Sequence, residues 1–502
     1  MKTLTGTLLM AGAIASPAGA ETLREALLKA YATNPTITAQ RAAQRATDEN
    51  VPIARADGLP SVNASGGYTE NVVKSSNSFV SPDREGTAGT QLSVPIFQGG
   101  AVRNSVRAAE TRVDAGLATL RGTESDLFTN TVGAYMDVIR DEAIVSLNRQ
   151  NVRVLEINLQ ASRDRFQVGD LTRTDVAQSE ARLARARGDL QTVEARLIAS
   201  RENYIRLVGT PPAELEQPPV LPNLPASPTA ATDVALRENP VLLASQRQRD
   251  ATRFDVGVAR ANRLPRLNAV VGGNYFNYFG SLGSGTGTRV GQTGTASTVG
   301  LQLTVPIFQG GRPGALVRRA EALQSQSIEN TTATERSVIA NTRSNYASWR
   351  SALEVIASSE VAVNANKLSL EGVRAENSVG TRTILDILNA EQELLNSQVT
   401  LVTARRDAYV AGFALLASMG NAEARDLGLD GGALYDPLIN YKRVRNKIND
   451  FSDDGMATPV AVSTASTPAQ NATVTRPLDP MLDTPVDRSP GLTTGAATPN
   501  RQ

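Results

Sequence analysis

Asp175 and Asp386 stand 211 positions apart, each a few residues beyond a Val-Gly pair, Val168-Gly169 and Val379-Gly380. A carboxylate just past a glycine turn does electrostatic work. It suits the start of a helix, where unpaired amides and the helix dipole favour an acid. Proton-transfer and nucleophilic chemistry have no comparable foothold. The 502 residues include no His and no Cys, so the usual general base, the commonest metal ligand, the thiol nucleophile and any disulfide are all excluded. No G-x-x-x-x-G-K-[ST] phosphate loop occurs. The run Gly283, Gly285, Gly287 lacks that pattern and reads as a flexible loop between strands, and the paired acids Asp453-Asp454 fall in a segment without periodicity. The expectation is a protein that is not an enzyme and that carries no cofactor or metal.

The two aspartates belong to a longer duplication. The same displacement of 211 brings LSVPIFQGG at Leu92 to Gly100 onto LTVPIFQGG at Leu303 to Gly311, Glu180 onto Glu391 and Gly209 onto Gly420. At 205, Asn34-Pro35 meets Asn239-Pro240, Ala54-Arg55 meets Ala259-Arg260 and Leu59-Pro60 meets Leu264-Pro265. A collinear series of this length means two copies of one structural unit and a pseudo-symmetric architecture.

Each copy reads as helix, two strands, very long helix, sharp turn, shorter helix, giving a mainly α fold with a small β part. The first repeat covers 21–231 and the second 232–450. Opening helices are expected from about Thr22 to Asp57 and from about Ala231 to Asn262, each stopping before a Leu-Pro pair. Beyond each proline the apolar period changes from 3.6 to 2. Strands are expected at about 60–80 and 88–97, then at about 265–280 and 296–308. Tyr275, Phe276, Tyr278 and Phe279 cluster at one strand end, before a Gly/Ser/Thr-rich loop over 280–295. Such alternation fits half of a soluble sandwich, or a barrel with lipid outside. Four strands cannot close alone, because the smallest barrels need about eight. A barrel therefore requires 8 or 12 strands from two or three chains.

Long helices are expected over 101–167 and 315–378, each ~100 Å at 1.5 Å per residue. Tip turns follow at 168–170 and 379–381, then returning helices at 172–209 and 382–420. Tyr346, Trp349, Leu353, Ile356, Val363 and Leu370 form a coiled-coil seam, read as packing. A Pro-rich linker spans 211–228, and 451–502 reads as a disordered tail. Residues 1–20 read as a secretory signal peptide: Lys2, an apolar run and an Ala18-Gly19-Ala20 cleavage site. No later segment has the length and apolarity of a membrane helix. A formal charge of +1 with 4% aromatic residues argues against a nucleic-acid partner.

The signal peptide, doubled helix-strand-strand-helix plan, twin VPIFQGG strand ends and turn sequences together resemble TolC-type outer-membrane efflux proteins, over about Glu21 to Gly420. The resemblance implies a homotrimer with a 12-stranded β-barrel in the outer membrane, in contact with lipid, continued by a periplasmic α-helical coiled-coil barrel. It also implies a periplasmic adaptor protein and an inner-membrane pump, ABC-type or proton-driven, as partners in drug efflux or type I secretion. Gly169, Thr174 and Asp175 match one family tip pattern, and Gly380, Thr381, Arg382, Thr383 and Asp386 match the other. From that match, Arg382 is expected to hold Thr174 and Asp175 of a neighbouring coiled coil as a gate latch, with Asp386 facing the pore. Val168, Gly169, Leu171, Val379, Gly380 and Thr381 are the expected adaptor contact. The family's best-known member has a tyrosine where this chain has Asn377, and a second pore aspartate where it has Asn389, so the pore of a trimer would carry half the carboxylates. The rival reading is a non-channel coiled-coil structural protein of the periplasm or cell surface.

Overall fold

The computed structural model describes residues 20–73, 81–283, 290–429, 434–456 and 458–484. The expected signal peptide falls outside them except at Ala20, as do the strand residues 74–80, the loop residues 284–289 and the tail beyond 484.

The first repeat runs through α1 (Leu23–Thr33), α2 (Pro35–Asp48), α3 (Asn50–Ala56), β1 (Ser61–Glu70), β2 (Arg84–Phe97), α4 (Ala101–Gln167) and α5 (Arg173–Val208). The second runs through α6 (Pro228–Glu238), α7 (Pro240–Ala261), β3 (Arg266–Asn277), β4 (Thr293–Thr304), α8 (Arg312–Ser378) and α9 (Ile384–Met419). A short α10 (Leu438–Val444) follows. Both long helices have 67 residues and both returning helices have 36. The duplication seen in the sequence is thus kept to the residue in the helices. α8 begins earlier than expected because Pro313 lies in its first turn, where a missing amide costs nothing.

The opening helices depart from the expectation of one continuous rod. Asn34 and Asn239 break them, each with a proline in the following first turn. Asn34 Oδ1 accepts from the Thr36 amide at 2.8 Å, and Asn239 Oδ1 accepts from the amides of Val241 and Leu242 at 3.0 and 3.1 Å. The other side of each amide points away: Asn34 Nδ2 donates to the Leu207 carbonyl and Asn239 Nδ2 to the Ser418 carbonyl, both at 2.8 Å. Each Asn-Pro joint therefore starts one helix and ties down the end of another, α5 or α9. Around these joints lies the main core, with Phe128, Tyr135, Leu197, Tyr204, Leu215 and Phe413 fully buried.

α4 packs against α5 and, across to the second repeat, against α7 and α9; α8 packs against α9 and α7. Two shorter helices laid end to end thus line each long one. In the expected seam, Val363 and Leu370 are buried, while Trp349 is half-buried against Tyr346.

The four strands form one antiparallel sheet in the order β1-β2-β3-β4, with β2 joined to β3 across the repeats. β1 and β4 are its edges. β2 and β4 begin a few residues earlier than alternation suggested, β3 ends three residues sooner, and the second VPIF segment lies beyond β4. No helix layer among the described residues covers the sheet: Val62, Tyr68, Val299, Leu301 and Leu303 are all more than 60% exposed. No helix among the described residues is long and apolar enough to cross a membrane.

The expectation of a wholly disordered tail over 451–502 is corrected for its described part. Arg201 donates to the Asn471 carbonyl at 2.7 Å, and farther along Leu482 is only 2% exposed. Composition hid this order, because the contacts that seat the tail go largely to its backbone.

The two helix-end glycines sit differently. A Cβ at Gly420 would lie 2.4 Å from the Glu238 carbonyl oxygen, whereas one at Gly209 would meet only Thr33 Oγ1, at 3.5 Å. Both have positive φ, a left-handed strain of roughly 1–2 kcal/mol for alanine. Gly209→Ala should therefore lower the midpoint of a circular-dichroism melt modestly and Gly420→Ala far more; equal shifts would refute this difference in packing.

Candidate functional site: the helix tips

At the lower end of the molecule two hairpins turn on equivalent residues. In the first, Gly169 has φ +81°, its amide donates to the Phe166 carbonyl at 3.1 Å, and the Asp170 amide donates to the Arg165 carbonyl at 2.9 Å. In the second, Gly380 has φ +82°, its amide donates to Asn377 O and the Thr381 amide to Glu376 O, both at 3.0 Å. These paired bonds satisfy the last carbonyls of α4 and α8, and the left-handed residue they need is a glycine in both. Val168 and Val379, just before the glycines, are 80% and 74% exposed. Leu171 is half-buried, and Gly169, Gly380 and Thr381 are exposed.

The returning helices begin with matching caps. Asp175 accepts from the Thr172 amide at 2.9 Å and its hydroxyl at 2.7 Å, and Asp386 accepts from the Thr383 amide at 2.9 Å and its hydroxyl at 2.8 Å. In return the threonine side chains cap the amides three residues on. The Thr172 hydroxyl and amide hold the Asp175 carboxyl below the usual carboxylate range; the Thr383 amide and hydroxyl do the same for Asp386. The capping role read from the sequence is thus the role these acids play within one chain.

Arg382 does not meet Thr174 or Asp175 of its own chain. Its Nε donates to Glu376 Oε2 at 2.7 Å, and this ion pair keeps the guanidinium pKa above its ordinary value. Thr174 is exposed. Asn377 is 8% exposed and donates to the Arg382 carbonyl at 2.7 Å, so it braces the second turn from inside. Asn389 Oδ1 accepts from Arg182 Nη2 at 2.6 Å, linking α9 to α5.

Above the tips lies a buried polar contact that the sequence reading did not single out. Glu391 of α9 accepts from Asn158 Nδ2 of α4 at 3.0 Å and from Arg374 Nη2 of α8 at 3.1 Å. Its repeat equivalent, Glu180, pairs with Arg163 at 3.1 Å but stays exposed. The matched glutamates were a visible signal; Glu376 had none beyond its distance of six residues from Arg382.

The family model for the outer membrane efflux protein matches residues 26–210 and 231–421. The chain is 34% identical over 444 residues to the outer membrane efflux protein BepC of Brucella suis, covering 88% of this chain and 94% of BepC. It is 26% identical over 423 residues to the outer membrane protein TolC of Vibrio cholerae, covering 83% and 94%. The fold matches the crystal structure of the Campylobacter jejuni CmeC outer membrane channel with a TM-score of 0.72 at 16% identity, over 85% of this chain and 90% of that one.

The lowered values of Asp175 and Asp386 fix the sign of a pH response. A carboxyl with its folded pKa depressed contributes stability above its unfolded value, about 4, and loses it as pH falls through the folded value. Amide protection at 173–176 and 384–387, measured by hydrogen exchange and corrected for intrinsic rates, should be flat from pH 7 to about pH 5 and fall below about pH 4. In the Asp175→Asn/Asp386→Asn protein that acid loss should vanish; an unchanged acid response would show that other groups cap these helices.

Proposed function

This chain belongs to the outer membrane efflux protein family, and from that premise we propose that three copies close into one continuous duct gated at the helix tips. The protein is an outer-membrane exit duct of an efflux or type I secretion system, a transport channel reaching into the periplasm. Conduction is passive, with energy supplied by an inner-membrane pump and delivered through a periplasmic adaptor.

The family resemblance supports three as the number of copies, and the observation that carries their closure is the sheet. Its two edge strands leave backbone donors and acceptors without strand partners, and its apolar side chains have no core to enter. In lipid only a closed barrel satisfies such edges. A soluble coiled-coil spacer would cover one face of the sheet, and no helix layer among the described residues does.

The helices support the same closure. Within one chain α4 packs on α9, burying Asn158 and Glu391 at 7% each. Their repeat equivalents are Ser369 on α8 and Glu180 on α5, and both are exposed. Likewise Ile144 is 5% exposed while its equivalent Val355 is 43% exposed. A neighbouring copy would bury the α8 and α5 faces as α4 and α9 are buried inside one chain.

At the tips, Arg382 faces a choice between Glu376 of its own chain and the Thr174–Asp175 corner of a neighbouring coiled coil. Exposed pairs are individually weak, about 0–1 kcal/mol, but repeated around a ring they bias a two-state opening. Asp386 supplies the pore carboxylate. Val168, Gly169, Leu171, Val379, Gly380 and Thr381 form the rim offered to the adaptor, with the two exposed valines as its apolar points.

Arg382→Ala should raise the single-channel conductance of the purified protein in planar bilayers, and unchanged conductance would remove the latch. Because the chain has no Cys, Val168→Cys gives one labelling point, and it should crosslink to an adaptor in cell envelopes. Crosslinking at a mid-helix cysteine but not at Val168→Cys would displace the rim.

A further inference from the structure

Between the two helical hairpins runs a groove, and the chain's own C-terminal segment lies in it. Its upper part is held on the first hairpin. Arg201, which pairs with Glu142 at 2.6 Å, also donates to the carbonyls of Asn471 and Thr473 at 2.7 and 2.9 Å. Arg149, paired with Glu194, donates to the Ala472 carbonyl at 2.9 Å. The lower part is held on the second hairpin. Lys367 Nζ donates to the carbonyls of Met481 and Asp483 at 2.6 and 3.1 Å, and Gln398 Nε2 to that of Leu482 at 2.7 Å. Gln150 of α4 reaches the Thr484 carbonyl, which returns the end of the segment to the first hairpin.

The pattern of these contacts is specific. Fixed side chains on α4, α5, α8 and α9 read the carbonyls of residues 471–473 and 481–484, as a peptide-binding groove does. Between these two runs the segment makes one turn, in which the amides of Leu482 and Asp483 donate to the Asp479 carbonyl at 2.8 and 3.0 Å, and the carbonyls of 481–484 are left to the groove. Two side chains add selectivity: Asp479 pairs with Arg405 at 2.7 Å, and Leu482 enters the apolar cluster of Val363, Leu394 and Val402. A cavity of about 590 Å³ remains beneath the segment, walled by Met136, Ile139 and Arg140 on one side and Val402 and Arg406 on the other. The segment thus bridges the hairpins over a space that they do not fill themselves.

We propose that this groove is a peptide-binding site occupied in cis by residues 470–484, and that the seated segment is a clasp fixing the spacing of the two hairpins above their tips. The clasp spans α4/α5 and α8/α9, whose relative position sets the separation of Val168 from Val379. Releasing it removes one tie between the hairpins at mid-height, where Asp137 of α4 and Arg406 of α9 stay paired at 2.9 Å, and leaves Asn158–Glu391 and Arg182–Asn389 as ties nearer the tips. The clasp is a property of one chain. It draws on the duct reading only for its consequence, so neither readout below uses conduction.

The test alters the tail and leaves the groove intact. In the full-length chain, Leu482→Asp with Asp479→Arg puts a charge into the apolar cluster and a cation against Arg405. A fluorescent peptide of residues 470–484 should bind this variant at least tenfold more tightly than the native chain, whose groove is filled, by fluorescence anisotropy. The same peptide carrying Leu482→Asp should not bind. Equal binding to both proteins, or none to a variant of native helix content, would overturn the peptide site. Spin labels at Val168→Cys and Val379→Cys report the consequence: their pulsed-EPR distance distribution should broaden in the tail variant and narrow again when the native peptide is added. An identical distribution with the tail seated and released would overturn the clasp.

Discussion

A strand edge inside lipid has nowhere to place its amides and carbonyls except against another strand. Unsatisfied groups there cost several kcal/mol each, so an open sheet does not persist in a bilayer. Among the described residues this chain makes four strands, with β1 and β4 at the edges of the sheet. On the proposed closure, the layout below the sheet follows from the need to bring further copies alongside. The long helices would then continue the wall that the strands begin, and their 67 residues span ~100 Å.

The duplication makes a closed wall economical. Each repeat supplies one long helix, one returning helix and one strand pair, so in the proposed trimer a single set of contacts would serve inside a chain and again between chains. Burial records which half is already satisfied: Glu391 is covered by α4 and α8, while Glu180 in the same role is open. The Asn-Pro joints show the same economy. One asparagine side chain both starts α2 or α7 and ties the end of α5 or α9. The tip turns are largely exposed, and their order rests on hydrogen bonds at helix ends. That is the construction expected where an element has to move.

Much of this was legible in the residues. A displacement of 211 located both long helices and both returning ones, because helix ends depend on local signals such as Gly169, Gly380 and the Thr-x-x-Asp caps. The breaks at Asn34 and Asn239 were legible in principle, since Asn-Pro is a helix start as well as a helix stop, but a continuous 3.6-residue period masked them. The partner of Arg382 was not legible: Glu376 lies across a turn whose geometry is set by Asn377 and the Gly380 bend. The seated tail was the least legible feature. Its Thr, Pro and Ala composition lacks periodicity, and the arginines that hold it lie about 270–325 residues away and contact carbonyls, which every sequence presents alike.

The account stands on copies of this chain closing the sheet edges of one another. Native mass spectrometry of the protein extracted from outer membranes in mild detergent tests that directly. A single species of three chains is the predicted result, unchanged on dilution. A monodisperse single chain that keeps its strand content would contradict it.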